Sequence, residues 1–315
     1  MEGADPEVEH PRPRHVRLVP IVGALVAVAA LAFCVRALAD AWPEVRHSIA
    51  HASPDELLGA LACSAAAMTV LGFLWWRCLH VFGVSANVVA AVAWHFGGEL
   101  GKYVPGGVWS VLGRGELARR EGGIPRSTGY ATTLISYACM SVAAAMVCGI
   151  LAPIAAVRGA GLGAAWALLA FVPLGVAVVR PAVVSRVFAL ASRATRRRLD
   201  LRTPRWSAML GLIGSAIPAW LLLGGAAVLV TDALGFDQEP ARVAFAAVAA
   251  WLIGFLAVPV PAGAGVREVV FVLLSGLDSG PASAVAAITR VLLLLVDGVG
   301  GFAALAYVAR VRSSA

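Results

Sequence analysis

Residues Ala131–Val157 read ATTLISYACMSVAAAMVCGILAPIAAV, an uncharged run longer than the roughly 20 residues a helix needs to cross a hydrocarbon core. Similar runs recur along the chain at Leu18–Val35, Leu57–Trp76, Ala160–Val179, Ser207–Val230, Val243–Val258 and Ala282–Val308. Backbone groups inside lipid have no water to bond, so each run must satisfy its own N–H and C=O groups as a helix. A β-barrel would need alternating polarity with period two, and none is present. The 315 residues are 60% hydrophobic and only 14% charged, with a mean hydropathy of +0.84. Soluble domains carry about 25% charge, so this composition cannot cover a water-soluble body. The expected fold is all-α: a polytopic transmembrane bundle of about seven to eight spans plus one or two broken or re-entrant helices.

The chain divides into a polar tail, residues 1–17, and a single transmembrane domain, residues 18–312, with a basic loop at 180–206. The tail holds Pro6, Pro11 and Pro13 and is expected to be disordered. Arg12, Arg14 and Arg17 before Leu18–Val35, with Ala37-Leu38-Ala39 after it, resemble a signal peptide. The run is longer than a signal core and more spans follow, so an uncleaved first helix is the expectation. The five cysteines (Cys34, Cys63, Cys78, Cys139, Cys148) lie in or beside apolar runs without metal-ligand spacing and read as packing residues.

Net charge is +7, and Lys102 is the only lysine. The arginines cluster in short loops, which fits membrane orientation and not nucleic-acid binding. Arg77, Arg114, Arg119, Arg120 and Arg126 share a side with the N-terminal arginines and the basic loop if Val88–Leu112 enters and leaves by one face. Asp40, Glu44, Asp55, Glu56, Asp232, Asp237 and Glu239 collect on the other side. This places the N-terminus in the cytoplasm. Arg310 and Arg312 place the C-terminus there too if Pro259–Leu277 carries the chain back outward. If that segment alone is a re-entrant hairpin, the C-terminus lies outside. Within the loop, Pro181–Leu199 has the spacing of a short interfacial helix facing anionic headgroups, or of a plain topology anchor.

Two apolar segments are broken. The first reads HFGGELGKYVPGGVW (His95–Trp109), followed by Arg114 and Glu116. Its glycines and Pro105 cannot propagate a straight helix, and irregular backbone at membrane depth survives only in protein or around a wet cavity. Glu99 and Lys102 share a face of any helical turn there. The second reads VPVPAGAGVRE (Val258–Glu268). Gly263 and Gly265 free the backbone before a new helix, where successive N–H groups can form an anion-binding nest beside Arg267. The last span carries Arg290 and Asp297, seven residues apart on one face. Both are expected to turn into the bundle and meet partners from the broken segments, because each unpaired charge costs about 2.5–3.5 kcal/mol at mid-bilayer. A purely structural role, as buried pairs or snorkelling ends, is the competing reading for any one of them. The candidate headgroup-binding set is therefore Lys102, Arg114, Arg267, Arg290, Glu99, Glu116, Glu268 and Asp297. The candidate backbone break is Tyr103, Pro105, Gly106, Gly107, Pro261, Gly263 and Gly265. Pro105-Gly106-Gly107-Val108 with Arg114-x-Glu116 also echoes Pro261–Val266 with Arg267-Glu268, a hint of two related halves.

Tyr103-Val104-Pro105-Gly106-Gly107-Val108 with Arg114, and Pro259–Glu268 with Arg290, resemble the signature regions of the lysylphosphatidylglycerol synthase transmembrane-region family, also called flippase-like integral membrane proteins. Ala262 and Ala264 stand where that pattern leads one to expect glycine. The bifunctional members add a soluble domain that transfers an amino acid from aminoacyl-tRNA to lipid. This chain ends at Arg310–Ala315, so only the membrane half carries over. The resemblance implies translocation of a phosphate-bearing lipid, a phospholipid or aminoacyl-phospholipid, across a bacterial inner membrane. A carrier of a polyprenyl-phosphate-linked glycan is the alternative, and a scaffold for a lipid-modifying enzyme or glycosyltransferase is an alternative of another class. No paired nucleophile and base, metal-ligand cluster or phosphate loop is visible in the sequence, so neither enzyme nor cofactor is expected. His95 is read as a packing residue.

Overall fold

The computed structural model describes residues 36, 52–104, 108–157, 165–178, 180, 182–183, 185–186, 204–257 and 261–313. The tail, the first apolar run Leu18–Val35, Pro105, Gly106, Gly107, Pro259 and most of the basic loop at 180–206 lie outside the described residues. Within them every regular element is a helix.

Among the described residues four helices are long and apolar enough to cross a membrane: α1 (Pro54–Val81), α4 (Arg126–Val157), α6 (Trp206–Ala233) and α9 (Ser279–Ser313). At 1.5 Å per residue the 28-residue α1 is about 42 Å long, ample for a 30 Å core. The others are short. Helices α2 (Val88–Glu99) and α3 (Trp109–Gly122) are joined through a 3₁₀ turn at Leu100–Tyr103. A 3₁₀ turn at Ala165–Ala170 leads into α5 (Phe171–Val178). Helices α7 (Pro240–Leu256) and α8 (Val266–Ser275) flank the turn Pro261–Gly263. The ten residues of α8 rise only about 15 Å, half a bilayer.

The short helices form two hairpins. Gly98 near the end of α2 packs on Arg114 of α3, while Gly122 at the end of α3 packs on Trp94 of α2. In the second hairpin Gly254 near the end of α7 packs on Arg267 of α8. At its open end the Arg242 Nε donates to the Leu274 carbonyl at 3.2 Å. Each hairpin thus returns to the side it came from. Those sides are opposite. Helices α1 and α6 pack antiparallel, with the Ser53 N–H bonded to the Ala233 carbonyl at 3.0 Å. The first hairpin follows the end of α1 and the second follows the end of α6. They enter from opposite faces and meet in the middle, where Tyr103 and Val104 touch Leu294 and Ala262.

The chain therefore traces one path twice, over 54–157 and again over 206–313. Helices α1 and α6 have 28 residues each. Each is followed by a left-handed glycine, Gly83 and then Gly235. Each first arm is capped by a side-chain oxygen, from Asn87 in α2 and Glu239 in α7. Each second arm ends on a left-handed glycine, Gly123 and Gly276. The echo between the two motifs in the sequence corresponds to this repeat, with Arg114 matched to Arg267.

The core between α1, α4, α6 and α7 is built from small and aromatic side chains. Cys78, Cys139 and Cys148 are buried in it, and with Cys63 they are free thiols packed as small apolar groups. Trp220 donates its indole N–H to the Met140 carbonyl at 2.9 Å.

The close approaches at the hairpins give a direct test. A Cβ on Gly98 would sit 2.3 Å from Arg114 Cγ and 2.9 Å from its backbone N, whereas one on Gly214 of α6 meets nothing within 4 Å. Gly98→Ala should lower the thermal unfolding midpoint in detergent. Gly214→Ala should hold or raise it, since alanine favours a helix over glycine by about 1 kcal/mol.

Candidate functional site

The site forms where the two hairpin tips meet α9. Lys102 lies on the turn after α2, and its ammonium is shared between two carboxylates. It is 3.1 Å from Glu99 and 2.7 Å from Asp297. Glu99, one turn back on α2, also pairs with Arg114 of α3. The Tyr103 hydroxyl donates to Asp297. Asp297 and Arg114 are almost fully buried, at 0% and 2% exposure. Buried charges of this kind persist only when paired and hydrogen-bonded. A separate pair joins Arg290 of α9 to Glu268 of α8. Arg290 and Asp297 do face into the bundle, and each finds a partner on a different hairpin.

Arg267 differs from the other cations. Its guanidinium lies over the Trp251 ring at 4.8 Å. Among the described residues it makes no ion pair, and its buried Nε has no hydrogen-bond acceptor. Among those residues four cations (Lys102, Arg114, Arg267, Arg290) face three carboxylates (Glu99, Glu268, Asp297). One positive charge is left over, and it resides on Arg267.

A cleft runs from this cluster between α1, α6, α7, α8 and α9. Its empty volume, counting the open mouth, is about 840 Å³. Lys102, Arg267, Glu268, Arg290 and Asp297 line one part of it. The remaining wall is mostly apolar and narrow-sided, with Ala226, Ala227, Ala247, Ala250 and Ala286 beside Leu223 and Phe271, and with Ser64 and Thr289 bonded to their own helices. Alanine on facing helices leaves a slot that larger side chains would fill.

Of the residues singled out from sequence, Lys102, Arg267, Arg290, Glu268 and Asp297 meet around the cleft, and Glu99 and Arg114 stand behind Lys102. Glu116 does not join them. It faces outward from α3 to Arg119, Arg120 and Arg126, at 2.8, 2.8 and 2.9 Å. Outside the long apolar helices, those guanidiniums, Arg119 first, hold its carboxyl well below the usual carboxylate range. Glu116 follows Arg114 by two positions, which turns it to the other face of the helix. Tyr103 contributes its hydroxyl as well as its place in the backbone. Gly263 and Gly265 adopt φ of 66° and 80°, as a break before a helix requires, and Ala262 joins them at 49°. Pro261 opens that turn. His95 is buried against Gly72 with neither ring nitrogen hydrogen-bonded. Sequence reasoning missed Trp251, Tyr137 and the alanine wall, because aromatics and alanines within apolar runs look like ordinary packing. Among the described residues no cluster of His, Cys, Asp and Glu has the arrangement of a metal site.

The family model described as the lysylphosphatidylglycerol synthase TM region matches residues 21–301. The chain belongs to this family. It is a multi-pass helical membrane protein of a lipid-related class, and the match spans both hairpins and the site between them. No curated protein matches the chain.

The buried network and the surface cluster should respond differently to truncation. Asp297→Ala leaves the Tyr103 hydroxyl without its acceptor and Lys102 with Glu99 alone, and should cost about 3 kcal/mol, the lower end of the usual loss when one partner of a buried pair is removed. Glu116→Ala should cost less, about 1 kcal/mol, since the three guanidiniums it holds are themselves largely exposed. Denaturation of both variants in detergent micelles measures the contrast.

Proposed function

We propose that this protein carries a phosphate-bearing lipid between the two leaflets of a bacterial inner membrane, with Arg267 as the group that holds the phosphate. The observation that supports this most directly is the leftover charge of Arg267 in a cleft that is charged at one part and alanine-walled elsewhere. A guanidinium presents a planar fork of N–H donors suited to phosphate oxygens. A phosphate there would neutralise the surplus charge. A hydrocarbon chain attached to it would lie against the alanine slot and open to lipid. Membership of a lipid-related membrane family is consistent with the same chemistry.

The inverted repeat favours transport over a static scaffold or an enzyme. Transporters built from two inverted halves place their site at the midplane, between interrupted helices, and expose it alternately to either side. The charge distribution supplies the orientation. Asp55, Glu56, Asp232, Asp237, Glu239 and Asp278 gather where the second hairpin enters, and Arg77, Arg119, Arg120, Arg126, Arg205 and Arg310 where the first does. By the positive-inside tendency the first hairpin enters from the cytoplasm, and the N- and C-termini are cytoplasmic. The cleft lies in the half of the bundle reached by the second hairpin, so this state faces the outer leaflet. A polyprenyl-phosphate-linked glycan offers the same pairing of phosphate and hydrocarbon as a phospholipid. Either lipid class, and a lipid-modifying enzyme or glycosyltransferase that supplies it, would suit this site.

A leaflet assay in proteoliposomes tests the proposal with labelled phosphatidylglycerol and with a polyprenyl phosphate. The reconstituted protein should move at least one of them faster than empty vesicles. Arg267→Gln should slow that movement about tenfold or more, because hydrogen bonds to charged groups contribute about 1.5–3 kcal/mol. Arg267→Lys should retain part of the rate, keeping the charge without the fork. Movement of neither lipid above the empty-vesicle rate refutes the proposal.

A further inference from the structure

The polar atoms of the cleft are not all satisfied by one another. Glu268 Oε2 and Asp297 Oδ1 are buried, and neither has a hydrogen-bond partner among the described residues. Both residues line the cleft that holds Arg267. The three hydroxyls on the cleft wall have already given their hydrogens away. Ser64 donates to the Ala60 carbonyl at 2.8 Å, Thr289 to the Val285 carbonyl at 2.6 Å, and Tyr103 to Asp297. Beside Arg267, then, the wall presents unfilled acceptors. A buried acceptor without a donor is costly, so a ligand that supplies a donor there gains affinity.

Charge balance narrows the kind of donor. Arg290 pairs with Glu268, Lys102 with Asp297, and Arg114 with Glu99. Each carboxylate is thus already matched by a cation, and the single charge of a phosphodiester on Arg267 brings the whole cluster to neutrality. An ammonium on the ligand could fill the open acceptors, but it would restore the surplus positive charge in a site where unpaired charge is expensive. A hydroxyl donates a hydrogen bond without adding charge.

We infer that the cleft selects a phosphodiester lipid whose headgroup carries neutral hydroxyls, on a glycerol or a sugar, over zwitterionic and aminoacylated lipids. Arg267 takes the phosphate, and the open oxygens of Glu268 and Asp297 accept from the hydroxyls. Arg290 and Lys102 hold those two carboxylates in place and keep them from drawing in a cation. Glu268 adjoins Arg267 at the start of α8, so phosphate and headgroup are read by neighbouring side chains. The inference rests on Arg267 as the phosphate holder and adds the headgroup that accompanies it.

Native mass spectrometry of the full chain in detergent, titrated with single lipids, tests the selection. Phosphatidylmethanol is the decisive control, since it has the charge of phosphatidylglycerol and no headgroup hydroxyl. Phosphatidylglycerol, or a polyprenyl phosphoryl glucose, should bind about tenfold more tightly than phosphatidylmethanol and than phosphatidylethanolamine. The tighter of the first two names the source of the hydroxyls, glycerol or sugar. An advantage of threefold or less for both, over either comparison lipid, overturns the inference. Glu268→Ala should cut the ratio of hydroxylated lipid to phosphatidylmethanol at least threefold, and an undiminished ratio in the folded variant also overturns it. If Glu268→Ala fails to fold, the comparison of lipids on the unchanged protein decides alone. Selective binding without leaflet movement would keep the inference and end the carrier reading. Equal leaflet movement of phosphatidylglycerol and phosphatidylmethanol would do the reverse.

Discussion

The ammonium of Lys102, held between Glu99 and Asp297, ties the first repeat to the second at the 3₁₀ turn where α2 ends. Removing three charged groups from water is costly, and their mutual attraction offsets that cost only when the geometry is close and every remaining polar atom is bonded. The Tyr103 hydroxyl on Asp297 and the Arg114 guanidinium on Glu99 meet most of that requirement, leaving only Asp297 Oδ1 and Arg114 Nε of these groups buried without a partner. The turn Leu100–Tyr103 must therefore sit against α9, and the tip of the second hairpin must stop beside it. The position of the cleft follows from this contact.

Two short hairpins entering from opposite faces solve a problem of the bilayer. Broken backbone cannot face lipid, so each tip needs protein around it, and here each tip supplies cover for the other. The four long helices wall off the junction, and the alanines of α6, α7 and α9 keep a slot open beside it. The duplicated scaffold would give two equivalent arginine positions. A single change of residue type, a glutamate after one glycine and a phenylalanine after the other, gives Arg114 a carboxylate partner, while Arg267 makes no ion pair among the described residues.

Much of this was legible before any coordinates. Four long apolar runs became α1, α4, α6 and α9, because a helix in lipid is dictated by local length and polarity, whereas Val243–Val258 gave α7, one arm of a hairpin that turns back, and Ala160–Val179 gave only a 3₁₀ turn and the short α5. The glycine–proline breaks marked both hairpins, since backbone freedom is a local property too. The inward turn of Arg290 and Asp297 followed from the energy of charge in hydrocarbon. Pairing could not be read in the same way. Glu116 and Glu268 both follow a candidate arginine, yet Glu116 faces surface guanidiniums and Glu268 faces the cleft.

By itself, then, the sequence determined the helical membrane class, the two interruptions and the short roster of charges near them. All of these depend on neighbours a few positions apart. The tertiary structure alone decided which charges neutralise one another, which cation is left over and which wall the cleft has. Tyr103 and Asp297 are 194 positions apart, and Arg290 and Glu268 are 22 apart on different helices. Ion pairing falls off over a few ångströms, so it is settled by how helices pack and not by the order in which their residues occur.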